Sequence, residues 1–231
     1  WCGQADSPGF ALLVLEKRLG DAKAREMAVR SLDWLATAPF NATGFLLHYN
    51  AGSGSWSEQD VVSQGQAMEN FARAIRVGRQ RSGSDTKSWE AFLHKACNIH
   101  AKRILRDDWR PLSTNEAFFV SPLCKGYAMF GDEDFRRAAV KATEHYAKRH
   151  LDMTEPCWGG TLDAQCEDKE GAWAAFQAFL AVYEMTKEPR YLECAAHAMD
   201  VVITYTVLWD IDMPPGRLRD HGFKSRRGRF R

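Results

Sequence analysis

One kind of helix is written four times into this chain. GDAKAREMAVRSLDW, GSDTKSWEAFLHKAC, GDEDFRRAAVKATEHY and KEPRYLECAAHAMDVV each open on a polar turn, then place small or apolar residues every three to four positions. Each follows another amphipathic stretch, so the chain reads as paired helices: 7–19 with 21–37, 59–80 with 85–105, 115–130 with 132–150, and 168–186 with 189–208. Pro8 is expected in the first turn of the first helix, where a missing N–H costs nothing. Asp21 caps the second, whose stripe is Ala24, Met27, Ala28, Leu32 and Leu35. The turns before the second helices begin near residues 20, 84, 131 and 187. That spacing is too wide and too uneven for tetratricopeptide or ankyrin repeats. Strand signals are confined to FLLHYN at 45–50, half of a small hairpin. The expected fold class is all-α.

Loop lengths break the symmetry of the pairs. The turn inside each pair is short, whereas the connections between pairs (39–58, 106–114 and 152–167) are long. In an up-down array every long connection emerges at one end, beside the N-termini of the first helices, and long loops on a rigid scaffold are where function gathers. Four of the eight tryptophans fall in those segments: Trp1, Trp56, Trp109 and Trp158. They are expected to stack on ligands or to staple their loops. Trp34, Trp89, Trp173 and Trp209 lie in helical patterns and are expected in the core.

Polar groups share that end: Gln4 and Asp6; His48, Asn50, Glu58, Gln59 and Asp60; Asp107, Asp108, Arg110, Asn115 and Glu116. The densest cluster is in EPCWGGTLDAQCEDKEGAWAAFQAF, where Asp163, Glu167, Asp168 and Glu170 lead into a helix. Capping and the macrodipole use one or two acids in a first turn, but this segment supplies four. Gly171 and Ala174 are small enough to let a neighbour approach the face bearing Glu167 and Glu170. Crowded carboxylates also drive their pKa values apart, leaving one able to donate a proton and another to act as base. Glu167 or Asp168, nearest the helix terminus, suits the base; Asp163, farther out, suits the acid.

Composition narrows the alternatives. Thirty-one basic against 30 acidic residues leave no field to draw nucleic acid, and the tail KSRRGRFR reads as a solvated end. No apolar run reaches the ~18 residues that span a bilayer. The chain starts at Trp1 without a signal-peptide pattern, so a processed or incomplete chain is expected, with bacterial cytoplasm and periplasm both open. The six cysteines follow no metal spacing; Cys97, Cys124 and Cys194 read as small core residues, and a Cys157–Cys166 disulfide stays open. There is no P-loop, G-x-S-x-G, H-E-x-x-H or dinucleotide turn. No metal and no cofactor are expected.

Sequential helical hairpins with aromatic and acidic loops at one end resemble the six-hairpin glycosidase superfamily of (α/α) toroids. The segment LDAQCEDKEGAWAAFQAFLAVYEMTKEPRYLECAAHAMDVVITY, followed by WDIDMPPGRLRDHGFKSRRG, looks like its bacterial polysaccharide-degrading members. C-E-D-K-E-G is the one distinctive local motif. The resemblance implies an inner ring made of the first helix of each hairpin, with N-termini pointing into a carbohydrate cleft. Residues 1–231 are expected to form one toroid domain, partial or open because four hairpins cannot close a ring of six. The activity implied is a glycoside hydrolase acting on a polysaccharide-derived oligosaccharide. Its catalytic candidates are Glu167, Asp168 and Glu170, with Asp60 and Glu58 opposing them. Trp1, Gln4, His48, Trp56, Glu58, Arg110, Trp158 and Asp163 are the substrate-binding candidates, with Arg110 and His48 placed to meet a uronic acid. Two other readings stand beside it: a lyase or sugar epimerase with a His or Tyr base, and a helical-repeat module that binds a protein or peptide on its concave face.

Overall fold

The computed structural model describes residues 2–57, 61–81, 85–111, 113–151, 169–205, 210–211, 215–222 and 225–226. Eight long helices follow in order: α1 (Cys2–Leu19), α2 (Ala22–Leu35), α3 (Val61–Arg79), α4 (Lys87–Leu105), α5 (Val120–Phe130), α6 (Glu133–Leu151), α7 (Lys169–Thr186) and α8 (Pro189–Thr204). A 3₁₀ segment, Thr114–Phe119, leads directly into α5. Between α2 and α3 lie two small antiparallel hairpins. The first pairs β1 (Phe40–Asn41) with β2 (Gly44–Phe45), and the second pairs β3 (His48–Asn50) with β4 (Ser55–Ser57). FLLHYN is thus split between two ribbons at Leu46–Leu47, where the fully buried Leu47 anchors the chain to the core. Near the C-terminus β5 (Asp210–Ile211) pairs with β6 (Ser225–Arg226), and a single turn, α9 (Arg217–Asp220), lies between them.

Helices pack as the hairpin reading requires. Each first helix lies against its partner (α1 on α2, α3 on α4, α5 on α6, α7 on α8), while α1, α3, α5 and α7 touch in sequence as one layer. The second helices α2, α4, α6 and α8 form the other layer. This is a double-layered arc of four (α/α) hairpins. Its apolar seam runs through Leu32, Phe71, Ile75, Trp89, Leu93, Phe119, Phe135, Phe179 and Val182, all at most 1% exposed. Trp89 is core as expected, and its indole N–H reaches Asp33 of α2 at 2.7 Å, so burial leaves no donor unsatisfied.

Local chemistry sets the ends. Asp21 caps α2 by accepting from the amides of Lys23 and Ala24. Pro189 opens α8, and just before it Lys187 closes α7 in the left-handed region (φ 64°), with its N–H on the Tyr183 carbonyl. Two expectations are corrected. Helix α1 begins at Cys2, so Pro8 lies beyond its first turn. Met27 is 49% exposed although Ala24, Ala28, Leu32 and Leu35 are buried, because those four already fill the contact with α1.

Candidate functional site

The N-terminal part of α3 carries Ser63-Gln64-Gly65-Gln66 onto the 3₁₀ segment. A Cβ on Gly65 would stand 3.0 Å from the Phe118 carbonyl carbon and 3.1 Å from the Phe119 nitrogen, so only glycine permits this approach. The two glutamines flanking it meet different surroundings.

Gln64 is fully buried. Its Oε1 accepts from the Phe45 amide at 3.0 Å and pairs with His100 Nε2 at 3.1 Å. Because a backbone N–H must donate, the shared atom is the oxygen, and His100 therefore carries its proton on Nε2. Burial first, and the positive Arg103 second, lower the His100 pKa to about 3. The imidazole is neutral at neutral pH. Its ring lies 4.1 Å from that of Phe119, and Arg103 reaches back to Glu116 at 2.7 Å across the same ring. Gly44 completes this seam: at φ +133°, a Cβ there would sit 1.8 Å from Gln64 Oε1.

On the other side, Gln66 borders a hollow of about 340 Å³. Among the described residues its wall is Gln66 of α3, Phe118, Lys169, Glu170 and Trp173 of α7, and Val202 of α8. The N-terminal ends of α3 and α7 and the 3₁₀ segment thus converge, as alternating chain direction demands. Trp173 keeps 39% of its surface exposed and is backed by Phe176, with ring centroids 5.6 Å apart. Glu170 stands in the first turn of α7. A carboxylate, an ammonium, an amide and an open indole around one concavity can hydrogen-bond hydroxyls while a ring stacks on a sugar's C–H face.

A second hollow, about 380 Å³, lies between the later turns of α3 and α5 and is lined by Ala72, Arg76, Arg79, Lys125 and Met129. Two lining cations are paired with carboxylates: Arg79 with Glu90 at 2.8 Å, and Lys125 at 2.9 Å with Glu69, which Arg73 also holds at 2.6 Å. Glu69 therefore ties α3 to α5. Among the described residues no group of three or more His, Cys, Asp or Glu could hold a metal ion.

Among the described residues, Glu170 is the one candidate site residue from the sequence that lines the hollow. Trp1, Glu58, Asp60, Trp158, Asp163, Glu167 and Asp168 lie outside the described residues, as do Cys157, Cys166 and Trp209. Gln4 falls within α1, but its side chain is likewise outside them. Trp56 packs against Trp34 and Tyr49. His48 pairs with Ser57 across the β3–β4 ribbon. Arg110 donates to the carbonyls of Trp109 and Asp107, bracing its own turn.

Trp109 takes the second of the two roles expected for the loop tryptophans: it is 7% exposed and packs on His145 and Tyr146, stapling its loop. Other expectations are overturned. Asn115 and Glu116 are buried because the 3₁₀ segment dives under α3. Trp34 and Trp173, assigned to the core, are 40% and 39% exposed. Helical spacing accounts for Trp173: the buried face of α7 runs through Gly171, Ala172, Ala174, Ala175, Ala178 and Phe179, and Trp173 falls roughly opposite its centre. Cys97, Cys124 and Cys194 are buried free thiols, and burial pushes Cys124 up to about 12.

No family model matches the chain, and no curated protein matches it in sequence. Solved structures are similar in fold. A cellobiose 2-epimerase from Spirochaeta thermophila aligns over 84% of this chain at 18% identity and a TM-score of 0.59. A GH76 α-mannanase from Bacteroides thetaiotaomicron aligns over 90% at 13% identity and 0.60, and a polysaccharide lyase over 87% at 13% and 0.59. The chain spans 56%, 58% and 28% of those proteins, respectively. It shares their fold, an array of (α/α) hairpins.

Proposed function

We propose that the hollow at the start of α7 is the sugar site of a carbohydrate-active enzyme, with a glycoside hydrolase as the leading reading. The observation that carries it is the meeting of Glu170 with the open face of Trp173 at the N-terminal ends of the first helices. Trp173 stacks a sugar ring, while Gln66 and Lys169 bind its hydroxyls. One carboxylic acid of the Glu167, Asp168 and Glu170 group protonates the leaving oxygen. A second carboxylate, from that group or from Asp60, activates water or attacks the anomeric carbon. Asp163, Glu58, Trp158, Trp1 and Gln4 extend the same mouth. Cellobiose 2-epimerase, GH76 α-mannanase and polysaccharide lyase, the named activities of the similar structures, all concern carbohydrates and support a sugar ligand.

Glu167→Gln, Asp168→Asn and Glu170→Gln, each assayed for reducing-end release from mannan- and cellulose-derived oligosaccharides, test the assignment. At least one must lose most of its rate; three unchanged rates would discard it. The likeness to an epimerase and to a lyase favours a second reading, in which a His or Tyr removes a proton beside a carbonyl or carboxylate. An epimerised product with its glycosidic bond intact, or the absorbance of an unsaturated uronic acid, selects that chemistry.

A further inference from the structure

The stretch NFARAIRVGRQRSGS (70–84) holds four arginines and no acid. Three of the four are tied to carboxylates: Arg73 to Glu69 one turn earlier at 2.6 Å, Arg79 to Glu90 of α4 at 2.8 Å, and Arg81 to Glu16 of α1. Arg76 has no carboxylate partner among the described residues. The macrodipole favours cations in the last turn of α3, which accounts for the presence of Arg76 and Arg79 there. It does not account for what Arg76 borders.

Arg76 stands beside the hollow of about 380 Å³ between α3 and α5, whose bed of Ala72, Ala128 and Met129 is apolar. Every polar side chain in its described wall offers protons. Arg76, Arg79 and Lys125 are cations, and Gln80 already accepts through Oε1 from Lys17 of α1 at 3.2 Å, which leaves its amide N–H groups to give. Glu90 offsets Arg79 and Glu69 offsets Lys125, so Arg76 carries the uncompensated charge. The neighbouring hollow, about 300 Å³ on the α7 side of Lys125 and Ala128, is lined by Glu184 instead. A wall of donors is therefore particular to the α3–α5 hollow. It is also distant from the sugar site: Gln66, which borders the Glu170 hollow, precedes Arg76 by ten residues, about 15 Å along α3.

We infer that the α3–α5 hollow binds a small organic anion with an apolar body, its carboxylate held by Arg76 and Gln80. A guanidinium takes a carboxylate through two parallel N–H···O bonds, and the bed of Ala72, Ala128 and Met129 removes the body of the ligand from water. A neutral ligand would leave Arg76 unpaired, and a polyanion would need a longer run of uncompensated cations. The hollow has the volume of a small-molecule site, at the lower end of the roughly 300–1,000 Å³ usual for them. Its occupancy is independent of the reaction at Glu170.

Isothermal titration calorimetry with naphthoate and with naphthalenemethanol, which share a ring system and differ in charge, tests this. The proteins are the wild type, Arg76→Gln, Ala128→Phe, Glu184→Gln and Trp173→Ala. Arg76, Ala128, Glu184 and Trp173 are all exposed, so equal melting temperatures identify folded variants. Wild type is expected to bind the acid at least about tenfold more tightly than the alcohol. Arg76→Gln removes that preference, Ala128→Phe fills the hollow and abolishes binding, and Glu184→Gln and Trp173→Ala keep the wild-type affinity. No binding of naphthoate overturns the proposal, as does equal affinity for acid and alcohol, or wild-type affinity in Arg76→Gln. Loss in Trp173→Ala with Arg76→Gln unaffected places the anion in the Glu170 hollow and also overturns it.

Discussion

Gln64 and Gln66 stand two residues apart on α3 and meet opposite conditions. Gln64 points into a closed seam where a strand amide and a histidine share its oxygen, while Gln66 borders a hollow open to solvent. The same helical turn, pressed onto the same 3₁₀ segment through Gly65, builds both. A buried polar group with fixed partners specifies geometry, because losing a partner leaves a desolvated donor or acceptor. A polar group at an open concavity exchanges water for ligand at little cost and is available for recognition. Polar residues crowding one end of the array therefore mark two different things, and only packing separates them.

The comparison breaks most readily on its open side. Glu170→Gln is expected to lower glycan turnover by about 10²–10⁴-fold, the usual share of a positioned acid or base, with little change in stability. A rate within twofold of wild type would remove Glu170 from the chemistry and leave only Trp173 to define the hollow.

On the shared wall, Gly65→Ala forces a Cβ to 3.0 Å from backbone atoms that cannot rotate away. It should cost about 1–3 kcal/mol in urea unfolding. A gain of about 1 kcal/mol, the usual helix benefit of alanine over glycine, would show that the two elements are not pressed together.

The closed side has a pH signature. His100 is neutral in the folded chain down to about pH 3, whereas in the unfolded chain it protonates near 6.5. Its folded pKa is lowered, so above pH 6.5 it costs nothing. Between about 6.5 and 3 the unfolded state binds the extra proton and stability falls, by about 1.4 kcal/mol per pH unit at the steepest. His100→Gln should flatten that slope in denaturant titrations run at pH 7 and pH 4.5; an unchanged slope would mean the seam admits water.

The smallest effect belongs to Arg110, which is exposed and engaged with carbonyls of its own turn. Arg110→Ala should shift stability by no more than about 0.5 kcal/mol and turnover by less than twofold. A larger loss of turnover would restore it to the sugar site.

The hairpins and their direction were legible because the 3.6-residue period is strong and recurs four times, and because Asp21, Gly131 and Pro189 punctuate it with local chemistry. Gly131, for instance, closes α5 at φ +73° with its N–H on the Tyr127 carbonyl. Glu170 was legible as one of several acids gathered before a helix. Whether a connecting segment rises to the rim or dives beneath it was not. Asn115 and Trp109 have the composition of a rim, but Gly65 lets the backbone beyond them pass under α3. That contact joins residues more than 50 positions apart, and no local pattern encodes it. Trp34 and Trp173 depart from the core expectation for the opposite reason, since alanine-rich faces fill the contact and leave the adjacent indole outside.

One oxygen on Gln64 joins three parts of the chain: the β1–β2 ribbon, α3 and α4. A two-residue strand has almost no cooperativity of its own and in isolation would fray on the timescale of a loose loop. Fastened at Phe45 to an amide that is itself locked by an imidazole, the ribbon opens only when the junction between two helices opens. The shortest regular element beside the mouth thus inherits the lifetime of the longest ones.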